Sequence, residues 1–177
     1  MTVGMMDDSE WRVAPLLITG LRGCQQTQHM NVWLKWGGLG ALALVVVIQF
    51  FPVDRDNPTT QSGNTIYDKE NLPPDIREIF QRSCSDCHSN RTVWPWYSHV
   101  APVSWVIASD VHGARRQMNL SEWGSYPPKK RADKLDEICE QVGRGDMPDP
   151  KYAFIHPQAK LTSEQRKAVC AWTDSNR

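Results

Sequence analysis

Four amphipathic stretches in the C-terminal part of the chain place apolar residues at the spacing of one helix face. The first begins at Pro73 and Pro74, which suit the first turn of a helix, and its apolar face continues towards Cys84. The four faces comprise Ile76, Ile79 and Phe80; Val103, Val106, Ile107, Val111 and Ala114; Ala132, Leu135, Ile138, Cys139 and Val142; and Ala168, Val169 and Trp172. The pattern therefore predicts four helices between residue 72 and the C-terminus.

Proline, glycine and a capping motif mark the ends of the later helices. Pro102 opens the second stretch, and the pair Pro127-Pro128 opens the third, which ends at Gly143. The fourth begins at Thr162, where the run Thr-Ser-Glu-Gln forms a capping box. These signals indicate separate helices joined by turns and loops.

No segment of the chain alternates polar and apolar residues convincingly with the period of two that a strand requires. We therefore predict an all-α fold, with one compact domain over residues 72–177 and long loops at residues 88–101 and 143–161. The preceding residues 54–71 are polar, contain proline and glycine and lack periodicity. Such a composition is typical of a linker.

An uncharged apolar segment, Trp36 to Phe51, lies closer to the N-terminus. Extended to residues 32–53, it has about the length that a membrane-spanning helix needs, with Lys35 close enough to its end to reach the interface. No small-x-small cleavage site follows, so we expect a retained single-pass anchor. The alternative is a buried core helix of a soluble protein, which would normally show a polar stripe that this segment lacks.

Residues 1–29 show weak periodicity and no clear caps, so we expect a poorly structured extension there. Met30 then begins a short segment with one positive charge before the apolar stretch, as signal anchors do, and translation from Met30 is one hypothesis. The basic residues Arg12, Arg22 and Lys35 precede the apolar segment, whereas Asp54, Arg55 and Asp56 follow it. This bias predicts a cytoplasmic N-terminus at a bacterial inner membrane and a domain that faces the periplasm.

Composition adds two observations. The chain has 20 basic and 20 acidic residues, so its overall charge does not favour nucleic acid or an anionic surface as a partner. It also has 8 tryptophans. Five tryptophans lie in the C-terminal half of the chain: Trp94, Trp96, Trp105, Trp123 and Trp172. They are expected either to fill a core or to line a large flat ligand.

The run Cys84-Ser-Asp-Cys87-His88 comes at the end of the first predicted helix. This spacing is typical of c-type haem attachment, in which two thiols add to vinyl groups of the porphyrin and the adjacent imidazole reaches the iron. Three alternatives use the same residues. A redox dithiol expects a βαβ context, half of a zinc site expects a second pair, and a structural disulfide leaves His88 unexplained. We therefore predict one covalent haem with His88 as the proximal iron ligand.

A low-spin electron carrier needs a second axial ligand, commonly a methionine thioether or another imidazole. Met147 is the best candidate, since it lies in the run Gly-Arg-Gly-Asp-Met-Pro-Asp-Pro, whose glycines and prolines exclude a regular helix. The alternative is a methionine that fills a gap in the core. Lesser candidates for the ligand are Met118, His99, His112 and His156.

The stretch that directly follows His88 offers further candidates. Trp94 and Trp96 are predicted to wall the haem, and Arg91 to pair with a propionate, with plain packing or solvent exposure as the alternative. A backbone carbonyl of Pro95 or Pro102 is the expected acceptor for the ring N–H of His88.

Cys139 and Cys170 lie on the apolar faces of the third and fourth predicted helices. Outside the cytoplasm such a pair can form a disulfide. Two small buried hydrophobic residues are the equally good alternative.

The run CSDCHSNRTVWPWYSHVAPVSWVIASDVHGARRQMNLSEW, with the later GDMPDPKY and HPQAKLT, resembles the bacterial haem-binding domain family of cytochrome c type. The resemblance covers about residues 70–175. It implies a cytochrome c-like helical domain around one haem bound covalently by Cys84, Cys87 and His88, with Met147 matching the family's GxMP methionine. It also implies an N-terminal membrane anchor. The chain departs from the family pattern in Cys139 and Cys170, where aliphatic residues are expected, and in its N-terminal extension.

These features predict a membrane-anchored, non-enzymatic electron carrier whose partners are periplasmic or membrane redox proteins. The alternative is a haem peroxidase or a gas or redox sensor with an open distal site. A third hypothesis is a docking module in which haem serves only as a folding scaffold. Ligation of iron by Met147 distinguishes the first hypothesis from the second.

Overall fold

The computed structural model describes residues 19–177 of the chain, with side chains from Val32 onward. The chain divides into two units, which meet between Phe50 and Phe51. The first contains helix α1, Thr19–Ile48. No proline interrupts this stretch, so the helix extends into the predicted unstructured extension, of which residues 1–18 lie outside the described part.

The predicted anchor over residues 32–53 begins inside α1 and continues past its end. Most of its large apolar side chains are exposed, for example Trp33, Leu34 and Leu42. Within residues 32–177, no helix is both long enough and apolar enough to cross a membrane.

The second unit, Phe51–Arg177, is helical in every regular element that the structure describes, as the sequence predicts. Its α-helices are α2 (Ile66–Lys69), α3 (Pro74–Ser83), α4 (Ser85–His88), α5 (Val103–Gln117), α6 (Pro128–Arg144), α7 (Pro150–Ile155) and α8 (Ser163–Ser175). Short 3-10 helices cover Trp96–His99, Leu120–Ser125 and Pro157–Ala159. The four predicted helices correspond to α3, α5, α6 and α8.

The predicted helix signals act as expected. Prolines begin α3 and α6, and Thr162 caps α8 by accepting a hydrogen bond from the amide of Gln165, whose side chain bonds back. Helix α6 ends at Arg144, one residue past the expected Gly143, and its C-cap is Gly145, whose φ of 82° is the left-handed conformation that glycine adopts most readily.

One core joins α3, α6 and α8. Phe80 of α3 meets Trp172 of α8 edge to face, with ring centroids 5.3 Å apart. Trp123 is completely buried, and its indole nitrogen donates to the carboxylate of Glu70 at 2.7 Å. Of the five tryptophans in question, Trp123 and Trp172 therefore fill the core.

Three expectations about irregular segments and faces need correction. Residues 54–71 contain α2 and bury Ile66 completely, because this apolar side chain completes the core, so the segment is not a free linker. The long loop over residues 143–161 contains α7, which the side chain of Asp149 caps. On α5 the buried face is Ser104, Ala108 and Val111, whereas Val103 and Val106 are exposed.

A disulfide links α6 to α8. The sulfur atoms of Cys139 and Cys170 are 2.08 Å apart, and the two Cα atoms are 4.6 Å apart. Of the two alternatives for this pair, the disulfide is the one that the fold contains. It joins the helix that leads into the Met147 loop to the C-terminal helix.

Candidate functional site

The Cys84–His88 run forms a tight turn at the end of α3. The amide of Cys84 donates to the carbonyl oxygen of Phe80 at 3.1 Å, which completes α3, and the amide of His88 donates to the carbonyl oxygen of Cys84 at 2.9 Å. The run therefore continues the helix through a single further turn, α4. Cys84, Cys87 and His88 are held together on this rigid turn.

Neither cysteine of this run is in a disulfide. Burial, with a smaller contribution from Cys87, raises the pKa of the Cys84 thiol to about 12. Burial together with the nearby carboxylate of Asp86 raises the pKa of Cys87 to about 11. Both side chains are thus protonated thiols at neutral pH, and neither is used in a structural bond.

The imidazole of His88 is held by a backbone carbonyl. Its Nδ1 lies 3.2 Å from the carbonyl oxygen of Met118, just past the end of α5, so Nδ1 donates and Nε2 keeps the lone pair of the ring. Burial is the main effect on the pKa of His88 and lowers it, which favours the neutral ring. The predicted acceptors, Pro95 and Pro102, were wrong, because the turn at Cys84–His88 faces the end of α5 and not its start.

A cavity of about 300 Å³ opens beside the turn. Its walls bring together Cys84, His88 and Met147. Most of the remaining wall is apolar and comes from α3, α5 and α6, including Phe80, Met118, Ile138 and Val142. Ser83 also lines the cavity; it is buried, and its hydroxyl has no hydrogen-bond partner among the described residues.

Met147 comes to the cavity from the loop between α6 and α7. The carbonyl oxygen of Gln141 accepts hydrogen bonds from the amides of Asp146 at 3.0 Å and of Met147 at 3.2 Å. Gly145 turns the chain at this point through its left-handed conformation. The side chain of Met147 remains 38% exposed, so the loop holds the thioether at the mouth of the cavity.

Cys87 lies on the same turn as Cys84 and His88 but is not among the residues that line this cavity. The structure does not bring Arg91, Trp94 or Trp96 to it either. Arg91 lines a separate, mostly polar cavity of about 410 Å³ with Arg77. Trp96 is 79% exposed and touches Tyr97 edge to face, whereas Trp94 is half-buried and its indole nitrogen has no partner among the described residues.

The lesser candidates for the second iron ligand lie in different parts of the structure. Met118 lines the cavity and holds His88 through its carbonyl, so its backbone lies beside Nδ1, away from Nε2. His99 is exposed, and His112 has a buried ring nitrogen without a partner among the described residues. His156 instead pairs with Tyr97, whose hydroxyl oxygen is 2.5 Å from its Nε2.

Sequence reasoning missed a polar network beside Cys87. The hydroxyl of Tyr152 donates to the carboxylate of Asp86 at 2.7 Å, across 66 positions of the chain. The Tyr152 ring stacks on His156, with centroids 4.4 Å apart. Neither residue type nor spacing marks such a pair, because the contact arises only when α7 folds back on the Cys84–His88 turn.

These residues fit a large, flat, mainly apolar group that contains a metal. The oriented imidazole and the thioether in the cavity could bind iron, and two unbonded thiols on the adjacent turn, of which Cys84 lines the cavity, could hold a porphyrin edge. The second cysteine pair of a zinc site is absent from the described residues, because Cys139 and Cys170 are bonded to each other. Fold and site together define a small helical domain suited to holding haem.

Comparison with known proteins agrees with this class. The sequence profile of the haem-binding domain family matches residues 43–175. The match covers the end of α1 and nearly all of the second unit, so the chain belongs to the haem-binding domain family. No curated protein and no solved structure matches the chain.

Proposed function

We propose that this chain is a monohaem c-type cytochrome domain that transfers single electrons. The observation that carries the proposal is the single cavity that brings Cys84, His88 and Met147 together. When bound there, haem supplies an iron centre that changes oxidation state by one electron. The domain thus needs residues that bind the group, fill both axial positions and leave no site for a substrate.

Cys84 and Cys87 are assigned the covalent attachment. Each thiol would add across a vinyl group, forming one carbon–sulfur bond while the thiol hydrogen passes to the other vinyl carbon, so no oxidant is consumed. Both thiols are unbonded and protonated, as this addition requires. Their positions on one short helical turn place them beside His88.

His88 is assigned the proximal position. The carbonyl of Met118 orients its ring and fixes the proton on Nδ1, which leaves Nε2 for the iron. A metal-binding histidine normally donates its other N–H in this way. Burial disfavours the charged ring, which would be unable to bind a metal.

Met147 is assigned the distal position in preference to Met118. The backbone of Met118 sits against Nδ1 of His88, which is the side of the imidazole that faces away from an iron bound to Nε2. Met147 enters the same cavity from a separate loop that has no hydrogen bond to His88 among those described. A loop of this kind can bring a thioether to the opposite face of a ring.

We also propose that the domain works outside the cytoplasm, attached to a membrane, with periplasmic or membrane redox proteins as partners. The Cys139–Cys170 disulfide supports an oxidising compartment. The uncharged segment from Trp36 to Phe51 and its exposed apolar side chains support attachment through residues 32–53. Fractionation of cells, followed by alkaline extraction of the membranes, tests this part, and recovery of the chain in the soluble cytoplasmic fraction would contradict it.

The central proposal is tested on the full chain produced with a c-type haem maturation system. We expect haem to remain attached after denaturation, and the intact mass to increase by that of one haem. The oxidised protein should show the long-wavelength absorption band of a methionine–iron bond. Met147→Leu should abolish this band, whereas Met118→Leu, which changes the other methionine of the cavity, should keep it.

Two other results would contradict parts of this proposal. A reduced wild-type protein that is high-spin and binds carbon monoxide would overturn the assignment of Met147 and favour an open-site enzyme or sensor. A chain that acquires no covalent haem would overturn the c-type assignment altogether. A redox titration of the loaded protein then tests reversible one-electron transfer directly.

A further inference from the structure

The hydrogen bond between Tyr152 and Asp86 joins the Cys84–His88 turn to α7, the helix that follows the Met147 loop. Asp86 lies within the attachment run, between Cys84 and Cys87, whereas Tyr152 lies in α7, directly after the loop that carries Met147. The donor–acceptor distance of 2.7 Å, with a carboxylate as acceptor, is that of a strong hydrogen bond. The described residues therefore include a direct bond from the attachment turn to the helix behind the Met147 loop.

Asp86 is itself fixed in place by its neighbours. Its second carboxylate oxygen accepts a hydrogen bond from the amide of Val93 at 3.2 Å. Its backbone carbonyl accepts one from the hydroxyl of Thr92 at 2.7 Å. Tyr152 thus binds to a group that Thr92 and Val93, in the segment after the turn, also hold.

Tyr152 is equally well defined on its own side. Asp149 caps α7 by accepting hydrogen bonds from the amides of Lys151 at 2.7 Å and of Tyr152 at 3.3 Å. The ring of Tyr152 stacks on His156, which is bonded to Tyr97. Burial, followed by the carboxylate of Asp86, raises the pKa of Tyr152, so its hydroxyl stays protonated and remains a donor.

The loop between α6 and α7 is consequently held at both ends. At its start, the carbonyl of Gln141 accepts bonds from the amides of Asp146 and Met147. At its end, α7 is bonded to the attachment turn through Tyr152. Met147 belongs to the first of these points through its amide, whereas its side chain is partly exposed.

We propose that Tyr152 is a positioning residue that, through Asp86, holds the Met147 loop over the face of the cavity opposite His88. The inference rests on the proposed function, because it assigns Met147 the distal position. In this arrangement the hydrogen bond fixes the distance between the attachment turn and α7, and thereby limits how far the thioether can withdraw. Opening of the loop requires this bond to break.

Tyr152→Phe tests the proposal, with Tyr67→Phe as its matched control. The hydroxyl of Tyr67 also bonds to the attachment run, since it lies 2.9 Å from that of Ser85, but Tyr67 belongs to α2 and has no link to the Met147 loop. Each variant removes one tyrosine hydroxyl and one hydrogen bond to the same turn. Only Tyr152→Phe removes the connection to α7.

The measurement uses the full haem-loaded chain in its oxidised state. Imidazole displaces a methionine ligand at a rate that depends on loop opening, and we expect Tyr152→Phe to accelerate this displacement by about tenfold or more, as the loss of a charge-assisted hydrogen bond implies. Amide hydrogen exchange at Asp146 and Met147 should accelerate in the same variant. Tyr67→Phe should leave both rates within about twofold of wild type.

Three outcomes separate this inference from the function on which it rests. If both variants, or neither, accelerate imidazole binding and amide exchange, Tyr152 has no specific positioning role and the inference is overturned. If Met147→Leu leaves the long-wavelength band intact, the assignment of Met147 fails first, whatever Tyr152 does. If Met147→Leu abolishes the band and only Tyr152→Phe accelerates opening, both hold.

Discussion

The attachment side of the cavity, residues 84–88, is one continuous run of chain, whereas its loop side, residues 145–149, is brought in by two other helices. The backbone of the first is held by local hydrogen bonds, such as that from the amide of His88 to the carbonyl of Cys84, whereas the ring of His88 is oriented by Met118, 30 positions along the chain. The second depends on Gln141 and on the contact of α7 with Asp86. Local sequence therefore builds the backbone of one side of the site, whereas long-range packing orients His88 on that side and positions the other side.

Loss of the two attachment thiols should have the largest effect. We expect the double variant Cys84→Ser with Cys87→Ser to retain no haem after denaturation, because the thioethers are the proposed covalent bonds. Intact mass and haem staining of denatured protein provide the measurement. The control, Cys139→Ala with Cys170→Ala, removes the other two cysteines of the domain and should keep the haem. Covalent haem in the first variant would contradict the assignment.

The next largest effect is expected where the attachment side joins the core. Phe80 is almost fully buried, lines the cavity and packs against Trp172. Phe80→Ala should lower the free energy of unfolding by roughly 3–5 kcal/mol, since it leaves a cavity in the core. Denaturant titration measures this loss of free energy. Phe154→Ala is the control, because the Phe154 side chain is 80% exposed. Its removal should lower the free energy of unfolding by less than about 0.5 kcal/mol. Equal losses would show that Phe80 does not support the turn through the core.

The same contrast explains what the sequence predicts. Helix periodicity, prolines and the Thr162 capping box locate α3, α5, α6 and α8, because these signals act within one turn of chain. The spacing of Cys84, Cys87 and His88 marks the attachment side for the same reason. The predicted hydrogen-bond acceptor of His88, a carbonyl of Pro95 or Pro102, was wrong, however. The acceptor is a backbone carbonyl, and the side chain of the residue that supplies it gives no signal in the sequence.

Contacts between distant segments are the part that the sequence leaves open. The burial of Ile66 in a polar segment depends on the surface that α2 meets, and a segment of mixed composition does not reveal it. The pairing of Tyr152 with Asp86 is similar, because tyrosine and aspartate are common surface residues. Met147 was predicted as a ligand because glycine and proline around it exclude helix and because it matches the GxMP methionine of the family it resembles, and this role stays a prediction.

The disulfide offers a test of the helix that supports the loop side. Cys139 and Cys170 are separated by 31 positions, and a crosslink over such a loop stabilises a fold by about 3–4 kcal/mol in the chain-entropy model. Cys139→Ala with Cys170→Ala should therefore unfold at lower denaturant concentration. Wild-type protein treated with a reductant should behave like this variant, and no difference between oxidised and reduced wild type would contradict the predicted contribution.

Gly145→Ala probes the loop side with the smallest expected change. At its φ of 82°, an alanine adopts the left-handed conformation at a cost of about 1–2 kcal/mol, and its Cβ would come 2.6 Å from a guanidinium nitrogen of Arg166. Gly143→Ala is the matched control, since it lies inside α6 and its Cβ would meet only the Cys170 sulfur, at 4.0 Å. We expect Gly145→Ala to lower stability and weaken the methionine band, while Gly143→Ala leaves the band unchanged and stabilises the helix by about 0.5–1 kcal/mol. If Gly145→Ala lowers stability without weakening the methionine band, the turn at Gly145 stabilises only the end of α6. Met147 would then be positioned by the other contacts of its loop.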